Sequence, residues 1–66
     1  MRTDFENLPE GRAVILHPSE ANFLHREPVR AERQGFYIFA ENDPAEEGPI
    51  YSMRDVSAFC RGWEEA

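Results

Sequence analysis

Three patterns of apolar and polar positions organise the chain. The first is a continuous apolar run, Ala13-Val14-Ile15-Leu16, inside the segment Arg12–His17. Its β-branched centre predicts a strand, and apolar residues on both faces predict a central place in a sheet. Pro18 ends it. The second pattern is alternation. Val29–Arg33 alternates apolar and charged residues, and Phe36–Ala40 is a run of strand formers. Gln34-Gly35 between them suits a two-residue hairpin turn, with Gly supplying positive φ. Pairing outward sets Arg33 against Phe36, Glu32 against Tyr37, Ala31 against Ile38, Arg30 against Phe39 and Val29 against Ala40. Val29, Ala31, Phe36, Ile38 and Ala40 then share a core face, and Arg30, Glu32, Tyr37 and Phe39 share the other. A one-residue slip would mix these sets, so the pattern itself selects the register.

The third pattern has helical period. Met53, Val56, Phe59, Cys60 and Trp63 recur on one apolar face. Ser52 and Asp55 form a capping box ahead of it, and Tyr51 and Val56 occupy the positions of a hydrophobic staple. Gly62 marks the end, with Glu65 as the outer limit.

The remaining segments are short. Thr3-Asp4-Phe5-Glu6 matches a capping box for one or two helical turns before Pro9, which pushes Leu8 out of the helical region. Pro9-Glu10-Gly11 reads as a turn. Ser19 is placed to cap a short helix over Glu20–Arg26, closed by Pro28; an irregular loop is the alternative. Glu41–Pro49 has turn-forming composition and reads as an exposed loop. The sum is one α+β domain over residues 1–66. It has a three-stranded antiparallel sheet, a C-terminal amphipathic helix on one face, and a short helix between the first two strands.

Charge changes this picture more than composition does. The chain has 13 Asp and Glu against seven Arg, no Lys, and a net charge of −6. Up to Ala40 six acids face five Arg; from Glu41 onward seven acids face two. Such a balance disfavours nucleic acid and anionic membranes as direct ligands and suits a basic protein surface, while also serving solubility. A domain of this size buries only about 60% of its unfolded surface. The lone Cys60 allows no internal disulfide, so the apolar core, extended at most by self-association, must suffice. The longest apolar run falls far short of the roughly 20 residues that span a bilayer. The first residues lack the apolar stretch of a signal peptide, and with one Cys this leads to the expectation of a cytoplasmic protein.

Candidate chemistry is sparse. Cys60 lies on the buried stripe, where free Cys serves as packing. His17 and His25 match no metal-ligand spacing. Asn42-Asp43 with Glu46-Glu47 lacks the spacing of a calcium loop, and Pro44 interrupts it. No nucleophile turn of G-x-S-x-G type occurs. The expectation is a non-enzymatic protein with no cofactor and no metal. Tyr37 and Phe39 stand out instead. They lie either exposed opposite the helix, beside Arg30 and Glu32 as at an interface, or beneath an N-terminal segment folded over through Phe5 and Leu8.

The expected binding surface therefore comprises Glu41, Asp43, Glu46, Glu47, Glu64 and Glu65, with Tyr37 and Phe39. Four charges within Glu41–Glu47 are sparser than a DNA strand, which offers about six phosphates over a ~20 Å extended stretch. Glu64 and Glu65 would have to join them to approach that density. In length, in these acidic clusters and in lacking a catalytic motif, the chain resembles the small acidic phage-encoded inhibitors, among them anti-CRISPR proteins and other DNA mimics. That resemblance implies a non-enzymatic inhibitor that occupies the basic nucleic-acid channel of a bacterial defence complex such as a CRISPR–Cas effector. It transfers no site residues. The alternative is a small structural or regulatory protein that self-associates through the Tyr37/Phe39 face or a sheet edge. The expected state is a monomer or a homodimer.

Overall fold

In the computed structural model, which describes residues 1–19, 27–41 and 51–66, strand is the commonest regular structure. The elements run β1 (Ala13–Pro18), β2 (Val29–Gln34), β3 (Tyr37–Ala40), β4 (Tyr51–Ser52), α1 (Met53–Phe59) and β5 (Cys60–Glu65). A 3₁₀ turn at Phe5–Asn7 precedes them. The strands form one antiparallel sheet in the order β4-β3-β2-β1-β5, curled into a half-barrel. This overturns the expected three-stranded sheet with a C-terminal helix. The first four strands meander, and the fifth crosses back to the free side of β1.

β1 is central, as its two apolar faces require. Val14 and Leu16 are fully buried, while Ile15 and His17 are half-buried on the opposite face. Leu16 lies opposite Val29 of β2 on one side and Trp63 of β5 on the other. Phe5, Leu8, Ile38, Tyr51, Val56 and Cys60 complete the core around them.

The third apolar pattern divides between two structures. The Ser52–Asp55 capping box forms: Asp55 N donates to Ser52 Oγ at 3.1 Å, and Ser52 N donates to the Asp55 carboxylate at 3.0 Å. The helix it starts ends at Phe59, and Cys60 is already extended, with φ −115° and ψ 146°. Cys60 and Trp63 are buried from a strand instead. Residues three apart in a regular strand face opposite ways. Here the register shifts between His17 and Pro18, so that Cys60 opposes Pro18 while Gly62 opposes His17. The extra residue reverses the parity, and both side chains reach the core. A bulged strand thus imitates helical spacing.

The hairpin forms with a different register. Gln34 pairs with Tyr37, Arg33 with Ile38, Glu32 with Phe39 and Ala31 with Ala40. The turn is Gly35-Phe36, not Gln34-Gly35, and the positive φ of Gly35, 65°, falls at its first central position. The Glu10 carboxylate accepts from Gly35 N at 2.7 Å, and the Arg33 guanidinium donates to Gly35 O at 2.7 Å and to Leu8 O at 2.7 Å. These bonds hold the turn against the N-terminal segment. The correction moves the turn by one residue and leaves the parity of each strand unchanged. The two faces therefore survive, except that Phe36 leaves the core for the exposed turn.

Near the N-terminus, Asp4 rather than Thr3 precedes the 3₁₀ turn, and no side chain caps its backbone, so the expected Thr3–Glu6 box is absent. The Asp4 carboxylate binds Arg2 and Asn7 instead, which hold its pKa far below the usual carboxylate range. Arg2 and Trp63 exchange two backbone hydrogen bonds of 2.8 Å, Trp63 Nε1 donates to Asp4 O at 3.2 Å, and the Arg2 guanidinium lies 4.8 Å from the indole centroid. The expected helix over Glu20–Arg26 lies outside the described residues, as does the expected loop beyond Glu41. Ser19, its proposed cap, donates to Phe59 O from both its N–H and its hydroxyl, at 2.8 and 2.9 Å.

Two outcomes follow from these contacts. A Cβ added at Gly62 would lie 2.6 Å from Arg2 O and 2.6 Å from Met1 Cγ, and the oxygen belongs to backbone that β5 itself holds. Gly62→Ala should therefore lower stability by about 1–3 kcal/mol, a fall in Tm of roughly 4–8 °C per kcal/mol by thermal circular dichroism. An unchanged Tm would mean that the first residues are not seated on β5. The hydrogen bonds from Ser52 hold the Asp55 pKa below its ordinary value. A depressed carboxyl stabilises the fold above the unfolded pKa, and that contribution is lost as pH falls through the folded pKa. Urea midpoints of the wild type and Asp55→Asn should differ at pH 7 and draw together as pH falls from about 4 through the folded pKa.

Candidate functional site

Alternation along β1, β2 and β3 sends one set of side chains to the core and the other to an open sheet face. The open set includes Ala13, Ile15 and His17 from β1, Arg30 and Glu32 from β2, and Tyr37 and Phe39 from β3. Tyr37 is 52% exposed and Phe39 42%. Phe5 and Leu8 do not cover them, because both are buried in the core that α1 closes. Of the two arrangements open to these aromatics, the structure has the exposed one. Phe36, at the turn, meets the Tyr37 ring edge-on with centroids 5.8 Å apart and planes at 83°.

The acidic residues on this side follow the ladder. Glu32 pairs with Phe39, and Ala13 lies across from Glu32 on the next strand. Glu41 follows β3, donates its N–H to Arg30 O at 2.8 Å, and sets its carboxylate 3.5 Å from Arg30 Nε. Glu64 pairs with Ile15, and its carboxylate lies 3.1 Å from His17 Nε2. Glu65 pairs with Val14, so it has the parity of the core side rather than of this face, and it forms an ion pair with Arg12 there. Glu41, Arg30, Ile15 and Glu64 thus form one lateral row across four strands. Three strand spacings, about 14 Å along the sheet, separate the Glu41 and Glu64 backbones, more than the Debye length of roughly 8 Å at physiological salt. They do not merge into one dense patch. Asp43, Glu46 and Glu47 lie outside the described residues.

The sequence reading places Arg30 on this face but names neither its carboxylate partner nor the place of His17 beside Glu64. Arg30 and His17 stand beside Glu41 and Glu64 on it, and Arg12 stands beside Glu65 on the core side of β1. The Arg30–Glu41 pair was within reach of the hairpin register. The other two depend on β5 lying beside β1, which local pattern does not reveal.

A hollow of about 290 Å³ opens on this face, lined by Ala13, Arg30, Ala31, Glu32, Phe39, Ala40 and Glu41. A second, of about 260 Å³, lies at the far end between Phe5, Phe36, Met53 and Arg54. Both fall below the roughly 300–1,000 Å³ common for small-molecule sites. Among the described residues, no three His, Cys, Asp or Glu side chains gather as a metal site requires. No helix among them is long and apolar enough to cross a membrane. Compared with protein-family models, curated proteins and solved structures, the chain matches none.

Cys60 is buried, and desolvation pushes its thiol pKa up to about 11. It stays a protonated thiol at physiological pH, and the thiolate is the reactive form. Ellman's reagent at pH 8 should therefore modify the native protein far more slowly than the protein unfolded in guanidinium. Equal rates would place Cys60 at the surface.

Proposed function

We propose that this protein is a non-enzymatic binding protein that sets the open face of its sheet against a basic protein surface. The observation that supports the reading is the exposed Tyr37/Phe39 pair bordered by the Glu32 and Glu41 carboxylates. Exposed aromatics with charges beside them have the composition of an interface rather than of ordinary surface. The net charge of −6 selects a basic partner and disfavours nucleic acid itself. Channels that handle nucleic acid are the common basic surfaces in a bacterial cell, so an inhibitor of a nucleic-acid-handling defence complex, of which a CRISPR–Cas effector is one example, fits this chemistry. A single buried Cys suits action in the cytoplasm.

In this reading the two parts of the surface have different tasks. The carboxylates steer the encounter, and the aromatics hold the complex. The ion pairs of Glu41 and Glu65 reduce the local negative field, so steering draws on the whole acidic surplus rather than on one patch. A second reading rests on the same aromatics: two copies join through the open face, with the acid serving solubility.

A partner captured from bacterial lysate and eluted by a salt gradient supplies the complex for the test. Reversing Glu46 and Glu47 together should slow association roughly tenfold at low salt, with little change in dissociation. Tyr37→Ala should instead speed dissociation, with a cost of about 2 kcal/mol. Binding that ignores both salt and the carboxylates would rule out the acidic docking. Light scattering that finds a dimer broken by Tyr37→Ala would establish self-association in its place.

A further inference from the structure

We infer that the hollow on the open face is a seat for a single arginine side chain of a basic protein partner. The inference rests on the binding role proposed above and names the group that role would recognise. Phe39 forms one wall, and its ring is partly exposed. The Glu32 carboxylate stands beside it, because the two residues are direct partners in the β2–β3 ladder. Ala13, the neighbour of Glu32 on β1, is small and leaves the space open. Glu41 closes one end, already sharing its carboxylate with Arg30 at 3.5 Å. Among the described residues, Glu32 has no ion pair.

Charge complementarity decides the sign of the occupant. Two carboxylates face the space against one guanidinium, so a cation is favoured and an anion is repelled. The aromatic wall decides which cation. A guanidinium is flat, stacks on a ring and donates in a fork that one carboxylate accepts at two points. A lysine ammonium is a strongly hydrated point charge and uses the wall less well. The volume, about 290 Å³, suits one side chain rather than a cofactor. Arg30 makes the seat conditional, since it competes with the incoming guanidinium for Glu41.

The test uses the intact ¹⁵N-labelled protein, titrated with nona-arginine and with nona-lysine at equal ionic strength. Nona-arginine should shift the amides of Ala13, Glu32, Phe39 and Glu41 and bind roughly threefold to tenfold tighter than nona-lysine. Phe39→Ala, at an exposed position, should leave the spectrum folded and remove that preference while charge-driven binding of both peptides persists. Arg30→Gln should tighten nona-arginine several-fold by freeing Glu41. Equal binding of the two peptides, or shifts confined to β5, would overturn the arginine seat and leave the basic-partner reading standing. No binding of either peptide at low salt would overturn both.

Discussion

The pairing of β5 with β1 is the constraint on which the rest of the fold depends. Leu16 and Trp63 meet there, both almost completely buried, although they lie far apart along the chain. Closing a loop of about 45 residues costs roughly 3 kcal/mol of chain entropy beyond a constant. Burying one tryptophan removes some 150–250 Å² from water, worth about 4–6 kcal/mol. That single side chain is thus large enough to offset the closure. A small domain without an internal disulfide has few other places to find such a gain. Trp63 also anchors the N-terminal segment: Arg2 pairs with its backbone and covers its ring, and Asp4 O accepts from its indole N–H.

Because β5, α1 and the N-terminal segment all pack on the core side or along the β5 edge, nothing among the described residues closes over the outer side of β2 and β3. The aromatics Tyr37 and Phe39 are left in solvent as a result. The same arrangement spaces the acids. Glu41 and Glu64 stand at opposite ends of one row, and Glu65 is drawn to Arg12. Exposed ion pairs of this kind add little to stability. On the open face, Arg30 and Glu41 stand beside the exposed aromatics and make a mixed surface, suited to recognition by shape and stacking as well as by charge.

The hairpin and the final segment show where reading the sequence works and where it stops. In the hairpin the turn was placed one residue early, yet both faces were identified. Moving the turn by one residue shifts the pairing and leaves each strand's alternation intact. Only Phe36 changed environment, by entering the turn. The final segment failed for a different reason. Met53, Val56, Phe59, Cys60 and Trp63 have helical spacing throughout, and the Ser52–Asp55 box starts a real helix. Past Phe59 the same spacing is produced by a bulged strand. Gly62 was a warning, since glycine in a strand marks a close approach of backbone, and here Arg2 and Met1 occupy the space a side chain would need.

Local chemistry alone determined the central position of β1, the existence of the hairpin, its inner and outer faces, the helix start at Ser52 and the inert character of Cys60. Each depends on residues close in sequence or on the polarity of one position. The tertiary structure decided which strand lies on the free side of β1, how far the helix runs, which basic groups accompany Glu41, Glu64 and Glu65, and that Tyr37 and Phe39 are uncovered. These depend on pairings between distant segments, where the competing arrangements bury the same residues and differ only in which backbone edge is free to accept them.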